Sequence, residues 1–139
     1  MSEQLFTVWK EFRFDAAHQL DAGPDGDPRY RNIHGHSYQV EVWVRGPLTE
    51  RGWVVDMGDL ERRIGVARDA LDHRMLNEVE GLGIPTMENI ARFVWEKLGE
   101  LPQLQRVVVK RGQSGEGCEY RGPCRDVAAK RPQRLCNAR

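Results

Sequence analysis

Cysteine is scarce in this chain and confined to one end. The three residues are Cys118, Cys124 and Cys136, and no two stand in a Cys-x-x-Cys pair. A thiolate zinc cluster of the usual spacing is thereby excluded. An odd, small number with no export pattern reads as free thiols in a reducing compartment. No apolar run approaches the length that spans a bilayer. Neither sign of charge is in excess, with 21 Lys+Arg against 21 Asp+Glu, so no nucleic-acid or membrane surface is implied. Met1-Ser2-Glu3-Gln4 opens no basic-then-apolar stretch, and a cytoplasmic location is expected. At 139 residues the chain is long enough for one domain with a real core. It has no internal repeat, and from Pro123 onward it is a basic, aperiodic tail (123–139).

Histidine is also sparse, but none is spent on a scattered position. The four are His18 in Phe14-Asp15-Ala16-Ala17-His18, His34 and His36 in His34-Gly35-His36, and His73 in Leu71-Asp72-His73. Imidazole is the commonest metal ligand and the usual proton carrier near neutral pH.

Residues 5–18 alternate, with Phe6, Val8, Phe12, Phe14 and Ala16 on one face and His18 continuing it. Residues 34–45 alternate again, with His34, His36, Tyr38, Val40, Val42 and Val44 together. Side chains two apart on a strand point the same way, so His34 and His36 project together. Gly35 between them leaves the opposite face open to close backbone approach. Residues 21–32 are dense in turn formers and read as a long mobile loop of the kind that often serves a site.

Trp53-Val54-Val55 reads as short and extended. Asp56 reads as a helix N-cap with Asp59 in the first turn. Leu60, Ile64, Ala67 and Leu71 follow at helical spacing. Thr86 caps a second helix to about Leu98, with Ile90, Phe93, Val94 and Leu98 as its stripe. Gln105–Arg111 is a strand, Gly112–Gly117 a turn, and Cys118–Arg121 a short return strand. The order is β-β-α-α-β-β, an α+β sandwich with two helices on one face of an antiparallel sheet. Its open edges need covering, for which oligomerisation is one route.

Three neutral imidazoles with one open position is the donor set of a catalytic zinc site. His18, His34 and His36 are the candidate ligands, and zinc is favoured because no carboxylate facial triad or thiolate lies nearby. Asp72-His73 supports two readings equally: a carboxylate-steadied imidazole that moves a proton, or a helix-terminal charge pair. Thr86, Glu88 and Asn89 read first as helix-start chemistry and second as the lining of a polar site.

Taken together, Phe-x-Ala-Ala-His, His-Gly-His-Ser-Tyr, Val-Val-Asp-Met-Gly-Asp-Leu, Leu-Asp-His-x-x-Leu-Asn, Pro-Thr-x-Glu-Asn and Gly-x-Gly-Cys-x-Tyr-Arg-Gly run in one order from about Phe6 to Gly122. In this the chain resembles the 6-pyruvoyl-tetrahydropterin synthase and 6-carboxy-tetrahydropterin synthase family, and looks closer to the bacterial carboxy branch that feeds queuosine synthesis. The resemblance implies the tunnelling fold over residues 1–122, closing into a barrel by oligomerisation as a homo-hexamer, a dimer of trimers, with active sites between subunits. It implies Zn2+ on His18, His34 and His36, a small-molecule pterin substrate (7,8-dihydroneopterin triphosphate), and a proton relay through Asp72 and His73. Thr86, Glu88 and Asn89 would contact the substrate.

The chain departs from the family pattern twice. The proton-abstracting cysteine four residues before His34 is replaced by Tyr30, whose ordinary pKa of about 10 suits a base poorly. Asp25, Asp27 and Tyr30 are the loop candidates for its role, and nothing in the sequence selects one. The glutamate that grips the pterin ring falls near Arg111 or Gly112, and Glu116 is the nearest acid, able to accept two parallel N–H bonds. The alternatives are an aldolase-like lyase giving a hydroxymethyl pterin, or an inactive paralogue that keeps zinc and a pterin.

Overall fold

The computed structural model describes residues 4–124. Four strands form one antiparallel sheet in the order β1-β2-β3-β4: β1 Phe6–His18, β2 His34–Gly46, β3 Leu104–Arg111 and β4 Glu116–Tyr120. Helices α1 (Met57–Leu71) and α2 (Met87–Lys97) lie between β2 and β3 in the chain. The expected β-β-α-α-β-β order and α+β class are thus observed.

Alternation does most of the work. Phe12, Phe14, Ala16, Tyr38, Val40, Val42, Val44, Val107 and Val109 are buried on one sheet face. Against them pack Leu60, Ile64, Ala67 and Leu71 of α1 and Ile90, Ala91, Phe93 and Val94 of α2. These helical positions recur every three or four residues, which gathers them on one stripe. Both helices begin at the expected caps. The Asp56 carboxylate accepts from Gly58 N at 2.9 Å, and Thr86 Oγ1 accepts from Asn89 N at 3.2 Å. The opposite sheet face carries stacked Trp9 and Trp43, ring centroids 4.6 Å apart, with the Arg106 guanidinium 4.0 Å over Trp43. Glu41 on that face is buried beneath Lys110 Nζ at 2.6 Å and Trp43 Nε1 at 2.8 Å.

Several local expectations are corrected. The 21–32 loop contains a short 3-10 helix, Pro28–Arg31, capped by Asp27, because Pro28 fixes its own φ and the Asp27 carboxylate accepts from Arg29 N. Val54 and Val55 form a bend and Trp53 has no regular structure, so 53–55 is not extended chain, and Leu76–Glu78 form an unforeseen 3-10 turn. The return strand starts at Glu116, two residues early, since Gly115 at φ 69° completes the turn after the 3-10 helix Gly112–Ser114. Gly35 is not needed for close approach: a Cβ there would meet Ala16 O at 3.5 Å, an ordinary contact. Gly122 is needed, at φ 92° and with a Cβ only 2.5 Å from the Trp95 ring.

Cys118 is a free, half-buried thiol, as expected. Cys124 is disulfide-bonded, which corrects the reading of free thiols, because sequence spacing does not reveal which thiols folding brings into reach. Cys136 and the tail beyond 124 lie outside the described residues. No helix among the described residues is long and apolar enough to cross a membrane.

Candidate functional site

The register of β1 with β2 sets His18 directly opposite His34 and Ala16 opposite His36. Directly opposed side chains on one face stand about 5 Å apart at Cβ. All three imidazoles therefore converge at the loop end of the hairpin, and their potential ligand atoms lie within 4.8 Å of one another. His18 is buried, while His34 and His36 are half-buried.

Two carbonyls decide which nitrogens face inward. His18 Nδ1 lies 2.9 Å from Pro85 O, and His34 Nδ1 lies 2.8 Å from Asn32 O. A carbonyl only accepts, so each Nδ1 carries the proton and each Nε2 is a bare lone pair. Those two Nε2 atoms stand 3.0 Å apart. Two lone pairs at that separation repel unless a proton or a cation lies between them. Nitrogens at tetrahedral positions around zinc, each about 2.0–2.1 Å from the metal, are about 3.3 Å apart. The pair is close to that spacing without rearrangement, and the donor set suits the ion. Burial opposes charge on His18 and holds its pKa below the usual histidine range. Burial, with the Arg111 guanidinium second, brings His36 down to about 4. Neutral imidazoles are the form that binds metals.

A cleft of about 590 Å³ opens beside the trio, lined among others by Asp15, Ala17, His36, His73, Arg74 and Arg111. His73 reaches it because residues 73–75 run along the edge of β1. His73 N donates to Asp15 O at 2.7 Å, Ala17 N donates to Arg74 O at 3.0 Å, and Ala17 bridges Met75. His73 sits at φ 58°, a left-handed conformation uncommon outside glycine and seen at functional turns. Its Nδ1 meets Asp72 Oδ1 at 2.9 Å. Asp15 N donates to that same oxygen at 3.0 Å, and this bond foremost keeps the Asp72 carboxyl below its usual range. The Asp72–His73 pair is thus tied to β1 as well as closing α1. Asn77 fixes the approach from the other side through reciprocal bonds with Gln19, both 2.9 Å.

The other expected residues lie apart from the cleft. Tyr30 is half exposed on the β1–β2 loop, its carbonyl accepting from Leu20 N at 2.7 Å. The Asp27 carboxylate is gripped by the Arg29 side chain at 2.6–3.1 Å, which holds its pKa low. Thr86 and Asn89 are occupied at the start of α2, where Asn89 Nδ2 donates to Ile84 O at 2.8 Å. Glu88 lies in the first turn of that helix. Their motif nonetheless serves the trio, since Pro85 immediately before the cap supplies the carbonyl that orients His18. Glu116 pairs with Arg111, its direct partner across β3 and β4. Arg74, Asp15 and Ser37 also line the cleft, with Ser37 Oγ donating to Asp15 Oδ1 at 2.5 Å, and sequence reasoning missed all three as site residues. Arg111 was noticed only as a departure, although it shares strand parity with Val107 and Val109 and so had to face inward.

The sequence model of 6-pyruvoyl tetrahydropterin synthase matches residues 7–123. The chain belongs to this family. It is 36% identical over 113 residues to a 6-carboxy-5,6,7,8-tetrahydropterin synthase of Synechocystis sp., covering 76% of this chain and 85% of that protein. A dihydroneopterin monophosphate aldolase of Pyrococcus furiosus is 34% identical over 108 residues, covering 77% and 86%. The solved 6-pyruvoyl tetrahydropterin synthase of Caenorhabditis elegans superposes with a TM-score of 0.75 at 26% identity, covering 88% of this chain and all of that one. The chain is therefore a member of a pterin-metabolising family, with a histidine trio placed so that it could hold a metal.

Proposed function

We propose that this family member is a zinc-dependent lyase of the 6-carboxy-tetrahydropterin synthase type, acting on 7,8-dihydroneopterin triphosphate on the route to queuosine. The observation that carries the reading is the pair of bare Nε2 atoms of His18 and His34, held 3.0 Å apart by carbonyls behind them. His36 completes the ligand set. A zinc ion held there supplies Lewis acidity to the oxygens of the substrate side chain, making neighbouring C–H groups more acidic.

The chain's own residues do the rest. Asp72 engages His73 Nδ1 and leaves its Nε2 to carry a proton at the cleft wall. Asp15 N holds the Asp72 carboxylate in position for that task. The proton acceptor comes from the loop residues Asp25, Asp27 and Tyr30, of which Asp27 is weakened as a base because Arg29 holds its pKa low. The homo-hexamer implied by family likeness would set sites between subunits, where Thr86, Glu88 and Asn89 would meet substrate.

A second reading is an aldolase-like lyase that cleaves a dihydroneopterin or its phosphate to a hydroxymethyl pterin. The likeness to the Pyrococcus furiosus protein favours it, while Tyr30 in the cysteine position favours an inactive paralogue. The deciding experiment incubates zinc-loaded protein with 7,8-dihydroneopterin triphosphate and identifies products by mass spectrometry. A carboxy-tetrahydropterin supports the first reading and a hydroxymethyl pterin the second. Pterin binding without turnover identifies an inactive zinc- and pterin-binding paralogue.

A further inference from the structure

Arg111 is placed unlike the other paired cations among the described residues. Its side chain is only 17% exposed. One step beyond the Gln39–Lys110 pairing, it stands at the level of Tyr38 on the sheet face that carries the imidazole trio. Its Nη2 holds Glu116. Its Nη1 donates to His36 Nε2 at 3.4 Å, longer than a well-formed N–H bond. Its Nε–H and the Tyr38 hydroxyl are both buried without a well-formed hydrogen bond, and the two side chains lie beside one another, the guanidinium opposing the rise that burial imposes on the phenol's pKa. What Arg111 presents to the cleft it lines is its Nη edge, held by the Glu116 carboxylate and only loosely by His36.

We infer that Arg111 gives this cleft an oxyanion subsite, so that the molecule it takes presents a carboxylate or phosphate to the guanidinium beside His36. A guanidinium only donates. A pterin's guanidine-like edge also donates and would be mismatched there, whereas a carboxylate or phosphate accepts two parallel bonds from the fork. The inference rests on the metal reading, because a divalent ion on the trio would put further positive charge beside Arg111 and leave an anion as the natural bridge between them. Glu116 acts as the exchangeable stand-in. Its side chain is about half exposed, and such pairs are weak enough to give way. Its release frees the Nη2 N–H groups for the ligand's oxyanion and the Glu116 carboxylate for a donor edge of the same ligand.

The test is calorimetric titration of inorganic phosphate, and separately acetate, into zinc-loaded wild type, Arg111→Met and Glu116→Gln, with zinc content measured on each. Arg111→Met should bind the preferred anion roughly tenfold to a hundredfold more weakly, the range for a charge-assisted bond. Glu116→Gln should bind it several-fold more tightly, because the competing carboxylate is gone. Preference for phosphate or for acetate tells which group the subsite serves. Unchanged affinity in Arg111→Met, or weaker binding in Glu116→Gln, overturns the inference. Glu116→Gln carries the test alone if Arg111→Met fails to fold. Stoichiometric zinc with Arg111-independent binding refutes the subsite and leaves the metal reading intact. Wild type without zinc refutes the metal reading, and the titrations are then read on the zinc-free protein.

Discussion

Removing the imidazole of His34 separates a metal centre from a merely structural cluster. In the intact site, His34 Nε2 and His18 Nε2 face each other at 3.0 Å with their protons turned outward to Asn32 O and Pro85 O. The cluster therefore gains little as a set of mutual hydrogen bonds and much as a ligand set. A ligand bound only to the folded state at a hundred times its Kd stabilises by about 2.7 kcal/mol. With an unfolding entropy near 2.1 cal/mol/K per residue, a chain of 139 residues gains roughly 9 °C in Tm from that increment. His34→Ala should lose the whole increment, because two imidazoles no longer close the site. In excess chelator the variant should match the wild type to within about 1 kcal/mol, since His34 is half-buried and its loss also removes a lone-pair repulsion. The assay is thermal unfolding with and without zinc, alongside metal content by mass spectrometry. If His34→Ala keeps stoichiometric zinc and the same zinc-dependent rise, the trio is not the metal site.

Other outcomes follow from the same geometry. Tyr30→Phe should lower turnover by about a hundredfold or more if the phenol is the base; an unchanged rate in a stopped assay moves the role to Asp25 or Asp27. Thr86→Ala should cost about 1 kcal/mol through the lost cap. It should also weaken zinc binding, measured by competition with a chelator, because Pro85 O loses its fixed position behind His18. In zinc-free protein, stability should decline as pH falls. The folded-state pKa of His18 is lowered and that of His36 is about 4, so below about 6.5 the unfolded chain binds protons that the folded chain refuses. The stabilisation is complete above about 6.5 and is lost between there and about 4. After allowance for screening it amounts to roughly 1–2 kcal/mol. A Tm that rises on acidification over that range contradicts the environment assigned to these rings.

What could be read from the sequence was whatever depends on periodicity. The alternation of Phe12, Phe14 and Ala16, and of Tyr38 to Val44, placed two strands correctly, and their parity put His18, His34 and His36 on one face. Asp56 and Thr86 were readable as caps because capping is a local hydrogen bond. What escaped was set by contacts between distant segments. The Asp15–Asp72 bond joins residues 57 apart, and no pattern within either segment announces it. Asn77 was visible only as a motif letter, although its reciprocal bonds with Gln19 help seat residues 73–75 along β1. The 3-10 turn within 21–32 escaped because turn formers were counted there without asking what Asp27 and Pro28 do together.

Arg111 shows why a departure from a family pattern is informative in its own right. Read as a missing glutamate, it only subtracts a ring contact. Seen on the inner face of β3, it adds a largely buried cation within 3.4 Å of a candidate ligand histidine. A cation so placed would oppose metal binding if it stood alone. Glu116, directly across the β3–β4 pairing, offsets that charge, and an anionic ligand that displaced it would do the same. Arg111 and Glu116 are thus one electrostatic unit. With an oxyanion subsite at Arg111, a reaction at this trio would be written for a substrate whose acidic end lies beside His36.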